Sequence, residues 1–205
     1  MCKICLVEGC RNKHVAKGYC DKHYRQFKKY GKTQRTRFDS NEIIEYEDYA
    51  EVVLYNKQGE EVARTIIDLD DINRVKKHKW YLIKNTGYVH SKTANILLHR
   101  FIMNPQDTMV VDHINHNKLD NKKSNLRVCE QKQNCMNQIK RKDNTSGTTG
   151  VSWDKTNKKW IAYINLNKRH ITLGYFNTKE EAIETRRQSE IDYFGEYRNN
   201  DKDVN

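Results

Sequence analysis

Apolar residues are scarce in this chain. Only 36% of its 205 residues are hydrophobic, and the mean hydropathy is −1.01. That excludes a large single core and favours small modules with staples of their own. No apolar run is long enough to span a membrane, so membrane partners are not expected. The first ten residues, MCKICLVEGC, carry no signal-peptide core, so a cytoplasmic protein is expected. Proline is almost missing: Pro105 is the only one, and it follows the apolar run NILLHRFIM. Acidic residues are also in deficit, 27 against 38 Lys and Arg, for a net charge of +11.

That surplus is unevenly spread. Residues 1–37 hold 11 Lys/Arg against 2 Asp/Glu, whereas residues 38–99 hold 8 against 11. A strongly basic end segment suits a polyanion such as nucleic acid. Composition and motifs together suggest a modular α+β chain. Its expected divisions are 1–37, 38–138 (core motif 108–138), 139–149, 150–198 and 199–205.

The six cysteines are the exception to the general scarcity. In a reducing compartment they are better read as metal ligands or core residues than as disulfides. Cys5-x4-Cys10 followed by Cys20-x2-His23 gives two pairs of soft ligands able to close a tetrahedral Zn²⁺ site. Four protein ligands leave no open position, so this zinc would be structural. Cys2 offers a rival pairing with Cys5 that would leave Cys10 free. Gly9, beside Cys10, favours the first assignment by allowing a tight turn. The following YRQFKKYGKTQRTR mixes aromatics with basic residues, as phosphate contact would use.

Residues 38–104 read as a scaffold. Alternation on either side of Lys57-Gln58-Gly59-Glu60 predicts a hairpin. Asp70 to His78 is expected as a short helix, WYLIKNTGYVHS as a second hairpin turning at Asn85-Thr86-Gly87, and NILLHRFIM as a strand-to-helix run. Trp80, Tyr81, Leu97, Leu98, Phe101 and Ile102 are core candidates.

The stretch VVDHINHNKLDNKKSNLRVCEQKQNCMN, from Val110 to Asn137, is dense in histidine, asparagine and aspartate. Such side chains are not buried without partners, so their density implies a task. Val110-Val111 is expected as a short strand delivering Asp112-His113, with a second strand over Leu126-Arg127-Val128 and a helix from Glu130 to Asn137. Adjacent strand residues point to opposite faces, so Asp112 and His113 can share a site only where the strand ends or bulges. Carboxylate and amide oxygens favour Mg²⁺ or Mn²⁺, and histidine can act as a base near neutral pH.

Here Asp112-His113, Asn125 and Asn134, with LHRFIMNP, VVDHINHNKLDN and SNLRV followed by a QN-containing helix, resemble the HNH nucleases of ββα-metal fold, particularly the phage and mobile-intron homing branch. The resemblance implies a catalytic metal on Asp112 and Asn134, His113 as general base, and Asn125 orienting it or bracing the loop. A small residue is common in that family where His116 stands, and the chain departs from the pattern there. Asn115, His116, Asn117 and Asn121 are expected as turn-formers, with His116 in solvent. Cys129 and Cys135 are expected as core or helix residues.

After the polar IKRKDNTSGTTG come three strand-like runs, Gly150–Asp154, Lys159–Leu166 and His170–Tyr175. A helix capped by Thr178 and running to Phe194 follows. Alternation directs Trp160, Ala162 and Ile164 toward the helix, to meet Leu173, Phe176 and Ala182. Residues 139–175 hold 8 Lys/Arg against 2 Asp/Glu, while residues 176–198 hold 4 against 6. The sheet is therefore the basic layer and is expected to meet DNA. GVSWDKTNKKWIAYI and ITLGYFNTKEEAI resemble the APETALA2-type DNA-binding domain. That resemblance implies DNA-facing positions at Ser152, Lys155, Lys159, Tyr163, Asn165, His170 and Thr172. The expected protein is a metal-dependent homing endonuclease acting on double-stranded DNA as a monomer; the alternative is a DNA-binding regulator with a non-catalytic central module.

Overall fold

The computed structural model describes residues 3–7, 10, 12–33, 39–137, 144–167 and 169–199. Cys2, Gly9, residues 34–38, much of the linker and nearly all of the tail lie outside them. Internal contacts separate two units, Met1–Asn104 with Asn117–Arg127, and Pro105–His116 with Val128–Asn205. Both combine small sheets with short helices, a modular α+β architecture.

In the first unit, helix α1 (Asp21–Tyr30) has Asp21 in its first turn and Lys28 and Lys29 in its last, charges that complement the helix dipole. Gly31, at φ 71°, ends it by donating to the Phe27 carbonyl. Strands β1 (Ile43–Glu45), β2 (Ala50–Tyr55) and β3 (Glu61–Ile67) form an antiparallel sheet in chain order. The expected turn between β2 and β3 is made by Asn56, whose Oδ1 accepts from the backbone of Gln58 and Glu60 at 2.9 and 3.0 Å.

The helix expected over Asp70–His78 is shorter. A 3₁₀ turn leads into α2 (Ile72–Val75). The Val75 carbonyl accepts from His78 N at 3.1 Å and from Trp80 Nε1 at 2.9 Å, so α-helical pairing stops there. Trp80 itself is buried, with Phe101 5.3 Å away ring to ring. Its backbone N–H and carbonyl both bond the Asn41 amide, at 2.8 and 2.9 Å. Strands β4 (Tyr81–Leu82), β5 (Val89–Ser91) and β6 (Ile96–Leu97) form a second sheet that runs directly into α3 (Leu98–Met103). Leu98 and Ile102 are buried as expected, whereas Tyr81, Leu97 and Phe101 are half-buried.

The polar loop Asn117–Arg127 docks on β3. Ile66 N donates to Leu119 O at 2.8 Å, and Asn121 N to Ile66 O at 2.9 Å. Asn121 is more than a turn-former, because its buried amide donates to Thr65 Oγ1 at 2.8 Å.

In the second unit, β7 (Val110–His113) pairs with β8 (Leu126–Cys129), whose last two residues belong to this unit. Helix α4 (Gln131–Asn134) starts where Gln133 Oε1 accepts from Glu130 N at 2.8 Å. The helix expected to reach Asn137 tightens instead into a 3₁₀ turn over Cys135–Asn137. Cys129 is buried and Cys135 exposed.

Strands β9 (Val151–Asp154), β10 (Lys159–Leu166) and β11 (Arg169–Phe176) form a sheet in the order β11-β10-β9, carrying α5 (Lys179–Phe194). Thr178 and Glu181 make a reciprocal capping box at the start of α5. Val151, Ala162 and Ala182 form its core with Trp160, Leu173, Phe176 and Ile183 against them, as the alternation predicts. Arg186 is buried, ion-paired with buried Glu190 at 3.0 Å and bonded to the Thr149 carbonyl at 3.1 Å. Gly150, at φ 78°, makes room for it: a Cβ there would lie 2.4 Å from both Arg186 Nε and the Tyr163 carbonyl.

Removing one partner of a buried ion pair strands the other charge. Arg186→Ala is therefore expected to destabilise this module by about 3–5 kcal/mol, read by urea unfolding. The double change Arg186→Met with Glu190→Leu should recover most of that loss.

Candidate functional site

Strand β7 runs from a half-buried Val110 to Val111, Asp112 and His113, which are 7%, 9% and 4% exposed. The strand ends at His113, whose carbonyl accepts from His116 N at 3.0 Å to close a turn. Asp112 and His113 therefore stand where a chain can escape strict strand alternation, the condition for sharing a site. His116 takes φ 61° in this turn, a left-handed conformation that a residue without a Cβ adopts most easily. Its ring is half-buried, with Nε2 enclosed, rather than in solvent.

The partner that the structure brings to Asp112 is Asn137. Asn137 Nδ2 donates to Asp112 Oδ2 at 2.9 Å and approaches the His113 and Ile114 carbonyls at 3.2 and 3.4 Å. Three acceptors around one amide atom identify it as nitrogen. The remaining atom, Oδ1, is buried and has no hydrogen-bond partner among the described residues. Sequence reasoning passed over Asn137. The available signal was its three-residue spacing from Asn134, which places both on neighbouring helical positions.

Asn134 closes α4, half-buried, with its backbone N–H on the Glu130 carbonyl at 3.0 Å. Its side chain makes no hydrogen bond among the described residues. Asn125 belongs to the first unit, where it is 7% exposed and its amide donates to the Asp120 carbonyl at 2.8 Å. The 3₁₀ turn that carries it is tethered by Lys123, whose N–H bonds Asp68 Oδ2 at 2.7 Å and whose ammonium pairs with Asp71 at 2.9 Å. A carboxylate such as that of Asp112 and an amide oxygen such as that of Asn134 are hard donors of the kind that Mg²⁺ or Mn²⁺ prefers.

A second donor group lies in the first unit. Cys5, Cys10, Cys20 and His23 bring their ligand atoms within 4.8 Å of one another. Cys10 and Cys20 Sγ are 3.8 Å apart, and His23 Nδ1 lies 3.2 Å from Cys5 Sγ and 3.5 Å from Cys20 Sγ. A tetrahedron with metal–sulfur bonds of about 2.3 Å and metal–nitrogen bonds of about 2.0 Å has edges of about 3.5–3.8 Å, close to these three separations. Cys20 immediately precedes α1 and His23 sits in its first turn, which puts both on one side of the helix.

Burial pushes the Cys10 thiol up to about 11. Burial acts in the same sense on Cys20, but the backbone bond at His23 and the neighbouring thiols outweigh it and hold that thiol below its ordinary value. His23 is lowered, first by burial and then by Lys22, which favours the neutral ring that a ligand must present. His23 Nε2 faces Asp39 Oδ1 at 3.7 Å, a carboxylate behind an imidazole that could ligate a metal, and the sequence pattern does not single it out.

On the C-terminal sheet, Ser152, Lys155, Lys159, Asn165, His170 and Thr172 are exposed and Tyr163 is half-buried. The register pairs Ser152 with Ile161, Tyr163 with Thr172 and Asn165 with His170, so these six share the face away from α5. Tyr163 and His170 rings lie 4.5 Å apart, and His170 Nδ1 is 3.0 Å from Asn165 Oδ1. A register shift after Ala162 adds one residue to β11, which brings Tyr175 opposite Ile161 and onto the same face. Tyr175 is 48% exposed, an aromatic that strict alternation would have turned toward the helix.

Comparison with known proteins agrees with the central motif. A family profile described as HNH endonuclease matches residues 76–136. A protein of Acanthamoeba polyphaga mimivirus, named as an uncharacterized HNH endonuclease, is 33% identical over 138 residues, covering 64% of this chain and 71% of its own length. Protein 3.8 of Escherichia phage T7 is 42% identical over 61 residues, 29% of this chain and 50% of that protein. No solved structure matches the chain. Among the described residues no helix is long and apolar enough to cross a membrane. With Asp112 and His113 at a strand end inside the matched segment, the chain belongs to the HNH endonuclease family.

Proposed function

We propose that this chain is a homing-type endonuclease that hydrolyses a phosphodiester bond in double-stranded DNA. The observation that carries the reading is the buried Asp112-His113 pair at the end of β7, within the segment that matches the HNH family. His113 accepts a proton from water, which then attacks phosphorus. Asn125 orients the imidazole or braces its loop. Asp112 and Asn134 would hold one Mg²⁺ or Mn²⁺, which when bound would stabilise charge on the phosphate and the departing 3′ oxygen. Expected products carry 5′-phosphate and 3′-hydroxyl ends. One centre per chain makes nicking by a monomer the simplest outcome.

The flanking parts would hold the DNA. Cys5, Cys10, Cys20 and His23 would take a structural Zn²⁺, whose geometry their separations fit. The outer face of the β9–β11 sheet, an APETALA2-type reader by resemblance, would contact the groove through Ser152, Lys155, Lys159, Tyr163, Asn165, His170 and Thr172.

Plasmid nicking with Mg²⁺, Mn²⁺ and EDTA tests the reaction. His113→Ala should lose roughly two orders of magnitude or more in rate, as expected for removal of a general base. An unchanged rate would refute the base assignment, and DNA binding without cutting by the wild type would favour a regulator. Bound zinc, measured by inductively coupled plasma spectrometry, should fall by about one ion per chain in Cys20→Ser. Deleting residues 139–205, which belong to the same compact unit as Asp112 and His113, should weaken sequence preference and spare metal-dependent cutting; loss of fold would make the segment structural instead.

A further inference from the structure

Asn137 lies one residue beyond the segment that the family profile matches. It is 3% exposed, and its Nδ2 is directed at Asp112 Oδ2 and at the carbonyls of His113 and Ile114. Its Oδ1 is enclosed and receives no hydrogen bond among the described residues. Asn41 shows what an amide with a purely scaffolding role looks like here. Asn41 uses both ends, accepting from Trp80 N and donating to the Val53 and Trp80 carbonyls. Among the described residues Asn137 uses one end only, and the groups it grips there belong to the strand end that carries Asp112 and His113. A buried oxygen left without a partner is unfavourable, so the other end has to hold something that matters.

We infer that Asn137 is a positioning residue of the nuclease centre, fixing the Asp112 carboxylate against the main chain that bears His113. This rests on the reading of Asp112 and His113 proposed above. The physical argument follows from strand geometry. Adjacent strand residues diverge, so the relation between the Asp112 carboxylate and the His113 ring is set by where the backbone leaves the strand. One amide nitrogen that bonds the carboxylate and the two carbonyls at that departure point ties those two quantities together. Its bond to the carboxylate is charge-assisted, the stronger and more directional kind. Removing the amide cuts this direct tie between the carboxylate and the turn after His113. Groups that orient a metal ligand in this way change metal affinity or activity by roughly 10–100-fold when removed.

The test uses the full chain with Asn137→Ala and Asn137→Ser. The serine variant keeps one donor in a smaller volume and carries the comparison if the alanine variant does not fold. Melting by circular dichroism sets a temperature at which each variant is folded. Mn²⁺ affinity without DNA, read by electron paramagnetic resonance, and plasmid nicking, resolved into kcat and KM, are then measured at that temperature. Mn²⁺ affinity and kcat should each fall roughly 10–100-fold, less in the serine variant, with KM for DNA little changed. A lower melting temperature with Mn²⁺ affinity and kcat at wild-type values per folded chain overturns the inference and makes Asn137 a scaffold amide. A wild type that neither binds Mn²⁺ nor nicks DNA removes the reading of the centre itself, and this inference with it.

Discussion

A carboxylate withdrawn from water needs donors, and Asp112 is 9% exposed at the end of a strand. Without them its burial would cost several kcal/mol, enough to unfold or rearrange a small unit. Much of the local architecture can be understood as meeting that need. The β7–β8 pair brings the chain to the point where strand hydrogen bonding stops. The α4 helix is short, and its closing 3₁₀ turn swings Asn137 inward, to within 2.9 Å of the carboxylate. A straight continuation of α4 would carry residue 137 along a different helical direction, since 3₁₀ and α turns rotate successive side chains by different angles.

The same economy of apolar material runs through the chain. Where the core is thin, small polar closures do what extra hydrophobic residues would otherwise do. Near the N-terminus it is a four-ligand cluster around the start of α1, with Asp39 behind His23 and ion-paired to Lys22. In the first unit it is the Asn41 amide on the backbone of Trp80. In the second it is Arg186, held by Glu190 and the Thr149 carbonyl under Gly150. Closures of this kind demand specific partners, so a lost side chain leaves a stranded polar group rather than a simple cavity. Stability in such modules is concentrated in few residues.

That concentration also decides what could be read from the sequence. Local signals survived intact: the Asn56–Glu60 turn, the Thr178 capping box, the Cys5/Cys10/Cys20/His23 spacing and the apolar alternation of β10 all correspond to what the fold contains. They depend on neighbours within a few residues or on periodicity. The misses share a different cause. Asn121 was read as a turn-former because its partner, Thr65, lies 56 residues away. Asn137 was passed over because its partner is 25 residues away and its orientation depends on where α4 changes its winding. Tyr175, which the strand pattern leaves unplaced, faces outward because one bulge reverses the parity of β11. The helix over Asp70–His78 was overestimated because Trp80 takes the Val75 carbonyl. In each case a long-range polar partner, or one inserted residue, overrode a correct local pattern.

His116 joins these threads. A residue with a Cβ in the left-handed region carries roughly 1–2 kcal/mol of strain, and His116 stands there at φ 61°. Strain of this sort persists only where its surroundings over-determine the backbone. Here the surroundings are identifiable. His116 N is committed to the His113 carbonyl, and that same carbonyl lies 3.2 Å from Asn137 Nδ2. The turn cannot relax without disturbing the group that grips Asp112. The departure from the family's small residue at this position is therefore tolerated by the same strand-end network that holds the proposed base and metal ligand. On the role proposed for Asn137, a change at residue 116 would reach Asp112 through the His113 carbonyl that the two share.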